Sequence, residues 1–302
     1  AALGGIDVAA NRTSTFEVEA DSLQASFSGA SGTGIDSTVD ATIAVEIGAD
    51  LTAPTITVAA LQQITKLADG FNVRTTTGGV TSGSSVGSET VVDVDSNIEI
   101  GSRLEQLVSP FLDGEGIAVT LNNSFDLVDR LELDTGGAVA IPRGDGQMRI
   151  DVRSADILFE DAELAAFDDI TVSVTNDVDA SLEANVAAYG LAGAPRGGVE
   201  LEFDADQLIA LSGSSELSSR AGSVRLLNGR TVTRQQEILL NAETRIFNGT
   251  TIPVPAGVTA IADADVRSGL TIGTNARIMA ARDVRLVSDQ GFVDPYGYYS
   301  VS

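Results

Sequence analysis

Residues 257–291 read GVTAIADADVRSGLTIGTNARIMAARDVRLVSDQG. Val258, Ala260, Ala262, Ala264 and Val266 alternate there with Thr259, Ile261, Asp263 and Asp265. The same parity continues through Leu270 and Ile272, then Ala276, Ile278 and Ala280, then Val284 and Leu286. An apolar residue at every second position is the period of a strand with one face covered, not of a helix. Breaks at Gly273-Thr274-Asn275 and Ala281-Arg282 divide the stretch into short strands. The inward residues are small or branched aliphatics, and Thr271, Arg277, Asp283 and Arg285 face outward.

The rhythm recurs along the chain. Phe16, Val18, Ala20, Leu23, Ala25 and Phe27 carry it near the start. Val39 to Ile47, Val92 to Ile100 and Ile170 to Val186 carry it again. Some copies align as sequence. Residues 211–229, LSGSSELSSRAGSVRLLNG, lie over 272–291 with one residue of slip, and Val224-Arg225-Leu226 matches Val284-Arg285-Leu286 about 60 positions on. EIG at 46–48, EIG at 99–101 and TIG at 271–273 are shorter echoes of a strand that ends in glycine. Repeats with a fixed internal grammar point to a solenoid, where each unit buries its face against its neighbours. The expected fold is all-β: a parallel β-helix with short helical or loop insertions. Three short strands in about 20 residues suggest one coil, and stacking at ~4.8 Å per coil gives a rod of about a dozen. The alternative is a β-sandwich repeat array, because Asn-Gly at 228–229 and 248–249 suits hairpin turns.

Composition narrows the function. The 302 residues carry 43 acidic side chains against 18 basic ones, a formal charge of −25, with Lys66 the sole lysine and no Cys, His or Trp. Without Cys and His there is no zinc finger, iron–sulfur cluster, disulfide scaffold or Ser-His-Asp triad. Such a negative chain cannot neutralise phosphates, so a nucleic-acid partner is not expected. No apolar run is long enough to span a bilayer as a helix, and no secretion or lipidation signal is visible. The first residues already look like strand, which implies a processed or excised part of something longer. Hydrophobic residues make up 43% of the chain, too many for simple disorder.

The rhythm divides the chain into 1–60 as coils, 61–90 as a helical insertion and flexible loop, 91–102 as coil strands, 103–168 as an irregular insertion-rich segment, and 169–302 as coils. The helical readings rest on Leu61, Ile64 and Leu67, on Leu104, Leu107, Val108 and Phe111, and on Ala155, Leu158, Leu164 and Phe167. TTTGGVTSGSSVGS at 75–88 reads as a low-complexity loop.

The 257–291 string resembles the repeats of large bacterial filamentous adhesins, notably the leukotoxin-type filamentous adhesins and more distantly the filamentous haemagglutinins. The carrying core is 270–287, and AAYGLAGAPRGGVELEFDADQLIALSGSSEL at 187–217 looks like the approach to another copy. The resemblance covers about a third of the chain. It implies a secreted β-rich protein that stays at the bacterial cell surface or forms extracellular fibres, and it transfers no catalytic residue.

Outward carboxylates are the main candidate site: Glu17, Glu19, Asp40, Glu46, Asp93, Asp95, Glu99, Asp263 and Asp265. Stacked coils would bring some within about 5 Å, and Ca²⁺, which takes six to eight oxygens, could relieve their repulsion. Asp93, Asp95, Asp263 and Asp265 are the candidate metal ligands, against the plainer reading of a solvated acidic face. Arg143-Gly144-Asp145 is read as a turn sooner than an adhesion tripeptide, and Asp134-Thr135-Gly136 lacks the second carboxylate that aspartic-protease chemistry needs. The expected function is that of an extracellular, non-enzymatic structural and adhesive protein. It would self-associate into fibres or a sheath and contact cell-surface glycans or proteins. The rivals are a surface-layer or sheath lattice protein and a glycan-active β-helix enzyme.

Overall fold

The computed structural model describes residues 4–68, 70–107 and 116–302. These residues form an all-β structure whose strand pairings are parallel, with one isolated antiparallel bridge between Arg230 and Gln235. The chain returns repeatedly to the same line. Ile6 pairs with Ile56, Ile56 with Ile117, Ile117 with Ile170, Ile170 with Val224, and Val224 with Val284. Successive turns therefore take 50, 61, 53, 54 and 60 residues. A second column stacks Ile47, Ile100, Phe159, Leu211 and Ile272, so the glycine-ended echoes read in the sequence are structural equivalents. The aligned copies also hold. Leu211 pairs with Ile272 and Leu226 with Leu286, which is the one-residue slip between 211–229 and 272–291.

Each turn is a flattened loop. In the third, residues 117–141 run outward, 142–160 run back, and Glu163–Ala166 adds a short strand to a separate five-stranded sheet. The two long walls meet through their inward side chains. The rings of Phe125 and Phe203 lie 6.4 Å apart, and a Cβ added at Gly146 would come within 3.1 Å of Leu182. Val119, Leu121, Leu127, Leu131 and Leu133 on one wall, and Met148, Ile150, Val152, Ile157 and Phe159 on the other, are fully buried. At the far tip the walls converge on small residues. Gly190 has φ 137° and packs on Gly137, whose carbonyl leaves no room for a Cβ.

Several expectations are corrected. A coil is not about 20 residues but 50 to 61, so the chain makes five turns and begins a sixth rather than making a dozen. The described residues contain no helix. Residues 61–67 belong to the strand Ile56–Leu67, whose inward residues are Ile56, Val58, Ala60, Gln62, Ile64 and Lys66. Two buried polar residues hid the period of two, and the outward Leu61 and Leu67 supplied a false helical spacing. Residues 155–160 and 163–166 are also strand. Asp161, with φ 51°, turns the chain between them and resets the parity, which is why Ala155, Leu158, Leu164 and Phe167 looked helical. Of the helix expected at 103–112, Arg103–Gln106 is strand and 108–112 lies outside the described residues. The loop expected at 75–88 is the first half of the strand Val73–Ile100. Its Thr75, Thr77, Ser82, Ser84 and Ser88 are buried, and Ser82, Ser84 and Ser88 in turn bond the Gly136 carbonyl, Thr135 and Asp129. Neither Asn-Gly is the two-residue turn of a hairpin: 248–249 lies within the strand Glu237–Pro253, and 228–229 precede a small antiparallel turn closed by the Arg230–Gln235 bridge and by Gln236 N–H donating to the Gly229 carbonyl.

Candidate functional site: an aspartate column and a glycine-floored furrow

Turn-to-turn register places outward residues in columns. Asp40 pairs with Asp93, Asp93 with Asp151, Asp151 with Asp204, and Asp204 with Asp265. Five aspartates thus stand in one line across five turns, each preceded and followed by an inward apolar residue, from Val39-Asp40-Ala41 to Ala264-Asp265-Val266. Neighbours in a parallel ladder are about 4.8 Å apart, where two unit charges in water repel by about 1 kcal/mol.

Arginines offset that repulsion. Arg149 bonds Asp151 at 3.2 Å, and Arg267 bonds Asp265 at 2.7 Å and reaches Asp206 at 3.7 Å. Arg153 bonds Asp93 and lies 3.8 Å from Asp95. The register slips where Val94 pairs with Val152 but Asp95 pairs with Ser154, so Arg153 is the extra residue of a β-bulge. A bulge re-aims a side chain, and here it aims a cation at two carboxylates. Burial pushes the Asp151 carboxyl above its ordinary range; Arg149 opposes this, and Asp93 and Asp204 add to it. Just beyond the bulge, burial with help from Asp206 raises Asp156 to about 6.

The four expected metal ligands fall in three adjacent columns. Asp93 and Asp265 share the aspartate column but are separated by Asp151 and Asp204. Asp95 pairs with Thr42 and Ser154, and Asp263 pairs with Glu202. Among the described residues no three carboxylates converge on a point that could hold a metal ion. Asp151 and Asp204 escaped the sequence reading, although Ile150-Asp151-Val152 and Phe203-Asp204-Ala205 repeat the apolar–Asp–apolar signature of the others.

Beside the column runs a furrow of about 450 Å³. Gly34, Gly87, Asp145, Gly198 and Thr259 form its floor in register, and Asp36, Glu89 and Glu200 stand along its rim. Missing side chains at three floor positions make the depression. Its rim offers carboxylate acceptors, and no aromatic lines it. Arg143-Gly144-Asp145 is here strand, not turn: Arg143 and Asp145 pair with each other at 2.5 Å, and Gly144 faces inward against Val186 and Val86. Thr135 of Asp134-Thr135-Gly136 is buried and bonded to Ser84.

Comparison with protein-family models, with curated proteins and with solved structures found no match. Among the described residues no helix is long and apolar enough to cross a membrane.

Proposed function

We propose that this chain is a stretch of parallel β-helix from an extracellular or cell-surface bacterial filament: a non-catalytic structural and adhesive rod that grows by adding strands at open ends. One observation carries the reading. Among the described residues Ser28–Ile47 pairs only with the following turn and Gly257–Ile272 only with the preceding one, so the other side of each strand is unpaired. Val258, Ala260, Ala262 and Ala264 are only partly covered, although the residues paired beneath Ala260, Ala262 and Ala264, Val199, Leu201 and Phe203, are buried. A parallel edge with an unfilled apolar face accepts another strand of the same kind. A contact between two different ends does not close on itself, so it propagates. The furrow then offers acidic acceptors to surface partners such as glycan hydroxyls, and the charge of −25 limits clumping along the sides.

Sedimentation velocity and electron microscopy across a concentration series test this. Fibres or end-to-end oligomers are expected from the native chain, and the double variant Ala260→Lys, Ala264→Lys should abolish them while leaving the circular dichroism intact. A native chain that stays monomeric throughout, or assembly unchanged by the two lysines, overturns the reading.

A lateral patch favours the rival sheath or lattice assembly. The rings of Tyr189 and Phe247 lie 5.4 Å apart, tilted at 44°, near the tip, beside exposed Leu191 and Ile252. Ordered two-dimensional arrays that are lost on Ile252→Asp would favour that arrangement over single fibres.

A further inference from the structure

The chain's one lysine lies in the interior. Lys66 and Asp129 are both fully buried, on adjacent turns, and 63 positions apart in sequence. Nζ lies 2.6 Å from Oδ1 and 2.7 Å from Oδ2, so it straddles the carboxyl group next to Cγ. The two oxygens are held differently. Oδ2 accepts hydrogen bonds from Thr90 at 2.6 Å and Ser88 at 3.2 Å, while Oδ1 faces Nζ off the line of a hydrogen bond. Thr90 Oγ1 also accepts from Nζ at 2.6 Å, so one hydroxyl bridges amine and carboxyl. The Phe16 ring, 5.9 Å from Nζ, covers another side.

A buried ion pair is a poor device for stability, because its attraction seldom exceeds the cost of stripping water from two ions. The same geometry suits a condensation, since a nucleophile held against an electrophilic carbon reacts as if at very high concentration. We infer that Lys66 and Asp129 are a self-modification site, where an intramolecular amide bond forms between Nζ and Cγ and locks the second turn to the third.

The reaction balances without a co-reactant. Thr90 passes one proton from the ammonium to Oδ2, leaving a neutral amine and a neutral carboxylic acid. The amine lone pair attacks Cγ and the C–N bond forms. A second proton moves from nitrogen to the Oδ2 hydroxyl, the Cγ–Oδ2 bond breaks, and water leaves. Oδ1 remains as the amide oxygen and Nζ keeps one hydrogen.

Two readouts on the full chain, purified folded and then denatured, test it. Intact-mass spectrometry should find the chain lighter by one water molecule. A lysine-specific endoprotease, which has only Lys66 to cut at, should leave the denatured chain whole. Thr90→Val should fold, as judged by circular dichroism, yet carry the full mass or lose water more slowly. Lys66→Met combined with Asp129→Leu keeps an apolar pair in place and should show no loss. A native chain of full mass that the protease cuts at Lys66 overturns the inference. A Thr90→Val chain that loses water as fast as the native one overturns the relay.

Discussion

The return strands of the fourth and fifth turns are built on the same plan and differ in one respect. Val199, Leu201, Phe203 and Ala205 face the interior and pair with Ala260, Ala262, Ala264 and Val266. The first four are at most 3% exposed, whereas Ala260, Ala262 and Ala264 are only partly covered. Parity, wall and pairing are shared, but among the described residues the return strand of the fourth turn is paired on both sides and that of the fifth on one. Burial in this architecture is a property of the stack, not of the strand. Ala262 and Ala264 stand where the fourth turn has Leu201 and Phe203, so this strand has less apolar surface to cover.

The largest effect should come from breaking the interior. Phe203→Ala removes a fully buried ring packed near Phe125, on a strand paired on both sides, and should cost about 3–5 kcal/mol. Val258→Ala, in the partly covered turn, should cost under about 1 kcal/mol by the same logic. Chemical denaturation of both variants checks the contrast, and equal costs would mean that the last turn is closed by something in solution.

A titration sharpens it next. Burial raises Asp156 to about 6 in the folded protein, above its ordinary 3.8. The folded state therefore binds the extra proton between those values, and stability falls as pH rises through that window. Asp156→Asn should gain on the order of 2 kcal/mol at pH 7 and almost nothing at pH 3. Denaturation at the two pH values reads the difference, and a gain that persists at pH 3 would sink the assignment.

The parallel stacking was legible where interior residues were aliphatic. Val284-Arg285-Leu286 announced its partner 60 positions earlier because both copies keep the same inward residues. It was illegible where the interior turned polar. Gln62, Asn123 and Asn176 stack inside the chain, with Asn123 donating to Asn176 at 2.8 Å and Asn176 donating to Gln207 at 2.8 Å. An amide satisfied only by another turn or by the opposite wall looks, in one dimension, like a surface residue. The size of the turn was illegible for a related reason: local alternation fixes the strand but not where the chain comes back. All five members of the aspartate column carry the apolar–Asp–apolar signature, of which the sequence reading picked out Asp40, Asp93 and Asp265; only the register puts the five in one line. The bulge that delivers Arg153 marks the sequence only as a change of parity, from Ile150 and Val152 to Ala155, Ile157 and Phe159.

The smallest effect lies on the surface. Arg153, at 47% side-chain exposure, serves Asp93 and Asp95 in the covered middle of the stack, and Arg267, at 71%, serves Asp265 and Asp206 on the last turn. Ion pairs this exposed contribute at most about 1 kcal/mol, and salt screens them. Arg153→Ala should therefore lower the melting temperature slightly at low ionic strength and not at all in about 1 M salt. Arg267→Ala should do less at low ionic strength, because its partners are more exposed to water. Calcium enters at the same point. If a divalent cation substitutes for the guanidinium, calcium should restore the Arg153→Ala melting temperature and EDTA should remove the gain. If Asp93 and Asp95 are only a solvated face, calcium and EDTA should leave the variant alike. The native chain, with Arg153 in place, should be indifferent to both, because the arginine already occupies the position from which a cation would act.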